Sequence, residues 1–178
     1  MLGPGTRRRG PGTERDGGSG SGVRPRHQGA DKVAGVKRST VGHMQCSIAR
    51  ALDIVGEWWT PLIMRDVFRG MRRFEEIQTS LGIARNILSD RLSTLVEAGV
   101  LEKRQYQVHP ARYEYRLTDM GRDYYQVLLA LKQWGDTWLA EEEGPPVTLI
   151  HATCGHEVTP VLTCSHCGEA IAPQTIKS

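Results

Sequence analysis

"GIARNILSDRLSTLVEAGVLEK", residues 82–103, is the stretch whose reading decides the fold. Ile87, Leu88, Leu92, Leu95 and Val96 recur at helical spacing and form one apolar stripe. Gly99 stops the helix, and the hydrophobic period then shortens to that of a strand. Arg85, Asn86, Ser89 and Asp90 sit at the front of the helix, off the stripe. A polar front end on an otherwise core-seeking helix needs an explanation, and the flanking sequence supplies one.

Upstream, Phe74, Ile77 and Leu81 mark a short helix separated from the quoted one only by the Gly82–Ile83 turn. Two short helices across a tight glycine-containing turn form a helix-turn-helix. Before them, Ile48, Leu52 and Val55 give a first helix that Gly56 ends. Thr60 and Pro61 then read as N-cap and first-turn residue of a second helix, apolar nearly all round and stopped by Gly70. Downstream, residues 100–106 and 112–117 alternate as two strands of a hairpin. Tyr113, Tyr115 and Leu117 share one face, and Arg112, Glu114 and Arg116 the other. The "QVHPA" loop (107–111) is too long for a two-residue turn, so the tip should project. Thr118 caps a long helix whose stripe is Met120, Tyr124, Val127, Leu128, Leu131, Trp134 and Trp138. That is more apolar surface than one helix of a small domain needs, and it predicts a partner helix from a second copy.

The ends differ in composition. Eleven of the 20 glycines, nine Lys/Arg and three Asp/Glu fall in residues 1–43, so the basic balance of the chain comes from this segment and not from the body. With almost no bulky apolar residues, 1–43 reads as a disordered basic Gly-rich tail. It carries no signal-peptide pattern, and no run is long and apolar enough for a membrane span, so a cytoplasmic location is expected. Residues 44–143 are the expected winged domain, and 144–178 a linker and a small separate module. The fold class is mainly α with a small β-hairpin wing, a winged helix-turn-helix plus a zinc-ribbon-like C-terminal module.

In a winged helix-turn-helix the second helix of the motif enters the major groove and its N-terminal residues reach base edges. Arg85 can pair with guanine and Asn86 with adenine. Ser89 and Arg91 can reach bases or phosphates. The wing adds Arg104, His109, Arg112 and Arg116, and Arg72 and Arg73 can hold the backbone. The stretches "CSIARALDIVGEWWTPLIMRDVFRGMRRFEEI", "GIARNILSDRLSTLVEAGVLEK" and "HPARYEYRLTDMGR" together resemble the HxlR family of bacterial winged helix-turn-helix regulators over residues 46–140. Cys46, Gly56, Trp59, Thr60, Arg72, Arg73, Phe74, Leu88, Arg91, Leu92, Tyr115, Leu117, Thr118 and Gly121 match its pattern in order.

The resemblance implies a homodimer, joined through its first and last helices, that binds double-stranded operator DNA, with repression as the expected sense. Two positions depart from the pattern. Pro61 replaces an aliphatic residue, and Ala84 stands where many members have Ser, which removes a hydroxyl contact to DNA and leaves the operator sequence open. Some members of the family sense oxidants or electrophiles through the cysteine at the position of Cys46. A helix N-terminus and the nearby Arg50 would both favour its thiolate; an inert packed residue is the competing reading.

In "HATCGHEVTPVLTCSHCGE" (151–169), His151-x2-Cys154-Gly matches Cys164-x2-Cys167-Gly. This spacing predicts one structural zinc held by His151, Cys154, Cys164 and Cys167, with His156 as the alternative to His151 and His166 also near; a metal-free tail packed on the domain, or a redox-active Cys164–Cys167 pair, is the competing reading. Residues 158–162 would form a hairpin joining the two turns. A segment this small has little core, so metal would supply its order. No catalytic triad, phosphate loop or paired carboxylates point to an enzyme. The alternative to a regulator is an interaction adaptor on the same scaffold, against which the basic wing counts. A small-molecule effector would be expected near Trp58, Tyr124, Trp134 and Trp138.

Overall fold

A computed structural model describes residues 40–142 and 144–177 of the chain. The expected disorder of the tail therefore lies, for residues 1–39, outside the described residues. Its boundary at residue 43 needs correction. The Val41 amide donates to the Asp53 carboxylate (3.0 Å) and the Met44 amide to the Val41 carbonyl (3.1 Å), so residues 40–44 are tied to the first helix.

Five α-helices and one hairpin follow: α1 (Ser47–Val55), α2 (Trp59–Phe68), α3 (Phe74–Leu81), α4 (Arg85–Glu97), β1 (Leu101–Gln107), β2 (Arg112–Leu117) and α5 (Asp119–Trp138). The elements of the winged plan are present in order. Ile63 and Met64 of α2, Ile77 of α3, Leu88, Leu92 and Leu95 of α4, and Leu101 of β1 are all buried in one cluster. Each contributes about 1.5–3 kcal/mol by leaving water, and together they fix α4 from behind, leaving its opposite side outward.

Three details depart from the sequence reading. Thr60 is not the N-cap of α2. The Thr60 amide already donates to the Glu57 carbonyl (2.8 Å), which starts the helix earlier, at Trp59, and leaves Thr60 buried in its first turn. The first strand starts at Leu101 and not at Val100. The Val100 amide donates back to the Leu95 carbonyl (2.9 Å) and the Gly99 amide to Val96 (3.0 Å), so Val100 closes the Schellman end of α4. Gly99 sits at φ +74°, a conformation that glycine adopts without a Cβ penalty. Third, Ile87 is exposed on α4 and does not join the stripe.

The wing is an antiparallel pair with Leu101 opposite Leu117 and Arg104 opposite Glu114, and its register shifts between Gln105 and Gln107. It is tied to the start of α3: Arg73 bridges Glu114, and the Tyr115 amide donates to the Arg72 carbonyl (2.7 Å). Thr118 caps α5 as expected, accepting the Gly121 amide at 3.1 Å, while its hydroxyl reaches the Gly99 and Val100 carbonyls. Of α5 only Gly121 is fully buried; Tyr124 and Leu128 pack on the core. Met120, Val127, Leu131, Trp134 and Trp138 are exposed, as are Ile48 and Leu52 of α1. No described helix is long and apolar enough to cross a membrane.

Candidate nucleic-acid interface

The front of α4 begins at Ala84, an extended N-cap residue whose methyl offers no hydrogen bond, so no side chain caps the helix. Arg85, Asn86, Ser89 and Asp90 are exposed there, beside Ile87. Ile87 fits the stripe by spacing alone, so its exposure cannot be read from the sequence.

Arg72 and Arg73 are held by their backbone. The Glu76 carboxylate accepts both amides, at 2.9 and 3.0 Å, which fixes the entry to α3. The Arg73 amide, then the Arg72 amide, hold the Glu76 carboxyl below the usual glutamate range. Both arginine side chains remain exposed.

Three cations lie over aromatic rings along the cleft between the wing and the starts of α3 and α4. Arg73 sits 4.9 Å from the centre of Tyr106, Arg85 4.9 Å from Phe74 and Lys103 4.4 Å from Tyr113. Such seats limit where a long charged side chain can point. The cleft they line, with Arg112 and Pro110, has a volume of about 670 Å³, and Glu75 and Glu76 from the start of α3 also line it. Lys103, Tyr106 and Phe74 are contributors that the sequence reading missed. The basic character of the wing was visible, but the cation–ring pairs depend on which strand positions face each other.

Arg104, His109 and Arg112 are exposed on the wing. Two arginines of the expected set are committed elsewhere. Arg91 turns towards Glu57 of the α1–α2 connection, 3.5 Å away and largely shielded, so it braces α4 rather than extending outward. Arg116 forms a 2.6 Å ion pair with Glu114, which offsets its charge. Burial raises the Tyr115 phenol above its ordinary value, with a smaller push from Glu75.

Cys46 is the N-cap residue of α1 and half-buried; its carbonyl accepts the Arg50 amide (3.1 Å). In the C-terminal segment the expected ligands come together as two pairs, not as one set of four. His151 Nδ1 lies 3.3 Å from Cys154 Sγ. The backbone amides of Cys167 and His166, then the Cys167 side chain, pull the Cys164 thiol down from its usual value. Among the described residues no group of three or more His, Cys, Asp or Glu is gathered for a metal. The hairpin expected at 158–162 is absent, because the Val158 amide donates backward to Leu149 and Leu162 accepts from Ile171.

Nor do Trp58, Tyr124, Trp134 and Trp138 share a pocket. Trp134 and Trp138 line a groove with Val161 and Leu162, whereas Tyr124 packs on the core and Trp58 is exposed. The strongly apolar cavity, about 390 Å³, lies instead among Leu62, Phe68, Tyr125, Leu128, Leu131 and Val147.

Comparison with known proteins places this geometry among regulators. The family model for HxlR-like helix-turn-helix proteins matches residues 54–143. Rv3095 of Mycobacterium tuberculosis, an uncharacterized HTH-type transcriptional regulator, is 48% identical over 130 residues, 73% of this chain and 82% of that protein. The uncharacterized HTH-type transcriptional regulator sll1512 of Synechocystis is 34% identical over 102 residues, 57% of this chain and 75% of its own. Among solved structures, PA1607, a candidate transcription factor, is similar at 36% identity and a TM-score of 0.72, over 79% of this chain and 98% of that one. PA1374 of Pseudomonas aeruginosa, also a candidate transcription factor, is 42% identical at a TM-score of 0.55, over 75% and 90%.

Proposed function

The chain belongs to the family of HxlR-like helix-turn-helix proteins, and from that premise we propose that it is a sequence-specific DNA-binding transcriptional regulator, a homodimeric repressor of operator DNA. The observation that carries the proposal is the exposed front of α4 beside a cleft in which Arg73, Arg85 and Lys103 are seated on aromatic rings. Uncapped amides at the start of α4 suit a phosphate, because they carry the positive end of the helix dipole. The ring-seated cations and Arg112 follow the adjoining backbone, and Arg72 and Arg104 extend the track. Arg85 and Asn86 read base edges, and Ser89 adds a hydroxyl. Ile87 suits a thymine methyl, which an apolar side chain can recognise.

The dimer is assembled through α1 and α5. Ile48 is 71% exposed and Trp138 72%, and both stripes remain largely open among the described residues. A twofold dimer presents two recognition helices and asks for an inverted repeat in the DNA. Cys46 is the proposed point of oxidant or electrophile control: it caps α1, at the edge of the proposed interface, so a bulky or charged adduct there would disturb the pairing. Rapid iodoacetamide labelling of Cys46 in the folded protein, with release of DNA, is the expected result. A slow reaction in the folded state would remove Cys46 from the mechanism.

The regulator reading is tested by selection from a random duplex pool with the purified chain. Enrichment of an inverted repeat is expected. A pool that stays unenriched, with binding that depends only on salt, would contradict base readout.

A further inference from the structure

The C-terminal segment is built twice from the same part, thirteen positions apart. The Gly155 amide donates to the carbonyl of His151, and the Gly168 amide to that of Cys164, both at 2.8 Å. The His151 amide donates to the His156 carbonyl as the Cys164 amide donates to the Glu169 carbonyl. Val158 donates to Leu149 as Ile171 donates to Leu162. Each copy has one bridge, Ile150 with Glu157 and Thr163 with Ala170, and one left-handed glycine, Gly155 at φ +71° and Gly168 at φ +77°. The positions of His151 and Cys154 in the first copy are those of Cys164 and Cys167 in the second. His156 has Glu169 as its counterpart, and His166 has Thr153, so neither belongs to the repeated set.

The two knuckles enclose no buried core of their own. No residue from 147 to 177 is buried, and Ile150, Val161, Leu162, Ile171 and Ile176 are exposed. A short segment with no fully buried side chain gains little from burial to offset its ordering entropy, and a cross-link would add order. The side chains offer one. Within each knuckle the two donors already converge: His151 Nδ1 on Cys154 Sγ at 3.3 Å, and Cys167 beside a Cys164 sulfur that faces the amides of residues 166 and 167.

We propose that this segment is a structural zinc site in which His151, Cys154, Cys164 and Cys167 are the four ligands. The structure holds the site as two half-sites, since no three donors are gathered among the described residues. Only Thr159, Pro160 and Val161 lie between the hydrogen-bonded ends of the knuckles, and closure on one metal brings the pairs together. Three thiols give up their protons to solvent as three Zn–S bonds form, and neutral His151 supplies the fourth bond, so nothing is oxidised or reduced and binding weakens in acid. A closed set of four leaves no position for substrate, which makes the role structural. The proposal is independent of the regulatory reading.

The test uses the full chain without a histidine tag, purified under reductant. Expected are one zinc per chain by elemental analysis and, on replacement with cobalt(II), the thiolate charge-transfer band and strong visible absorption of a tetrahedral site. Cys164→Ser with Cys167→Ser should abolish both signals, and His151→Ala should lose stoichiometric zinc, with the helical circular dichroism of the winged domain retained. His156→Ala should keep the metal. A chain that takes up no zinc or cobalt, weak six-coordinate cobalt bands, one zinc shared by two chains, or loss in His156→Ala but not His151→Ala would each overturn the assignment.

Discussion

Ala84 begins the recognition helix with a methyl group where a hydroxyl would cap it. Serine at an N-cap is worth about 0.5–2 kcal/mol over alanine. Ala84→Ser should therefore raise stability by about 0.5–1 kcal/mol in urea titration. It should also change DNA affinity, because the new oxygen occupies amides otherwise open to phosphate; unchanged stability would show that the end of α4 is satisfied in another way. Gly121 poses the opposite test. Helix propensity alone favours alanine there by about 0.8–1 kcal/mol. A Cβ at Gly121, however, would stand 2.2 Å from the Val100 carbonyl oxygen, which is backbone and cannot move aside cheaply. Gly121→Ala should cost about 1–3 kcal/mol, with a lower thermal midpoint; a stabilised variant would refute the close approach of α5 to the root of the wing.

At the scale of the element, α3 depends on one carboxylate. Glu76 accepts the amides of Arg72 and Arg73, and those bonds depress its pKa. A depressed acid stabilises the fold fully above its unfolded pKa, and that contribution is lost as pH falls through the folded value. The stability gap between wild type and Glu76→Gln should thus be present at neutral pH and shrink in acid; a gap independent of pH would mean that the charge is irrelevant. The elements themselves were legible. Gly56, Gly70, Gly82 and Gly99 punctuate the helices, and the change of period after Gly99 announces the wing. What a one-dimensional pattern misses is partnership. Spacing cannot say that Arg91 finds Glu57, that Arg116 finds Glu114 across one strand position, or that Ile87 leaves the stripe, because each depends on how neighbouring elements are angled. The paired knuckles were legible as a spacing, whereas their matched hydrogen bonds and lack of any buried side chain were not.

At the scale of the whole molecule, the proposed dimer pairs two copies through the exposed apolar faces of α1 and α5. Ile48→Glu places a charge on the α1 face, outside the core of the chain. It should give a folded monomer in sedimentation, with operator affinity reduced by tenfold or more because only one half-site is engaged; a dimer that persists would move the interface elsewhere. The central claim, that the front of α4 reads bases, is tested most directly by the binding isotherm of the full chain on its selected operator and on a scrambled duplex, compared with Arg85→Ala and Asn86→Ala at fixed salt. Each substitution should cost about 1–3 kcal/mol on the operator and little on the scrambled duplex, relaxing preference at a single base position. Equal losses on both duplexes, or none on either with the fold intact, would contradict the claim.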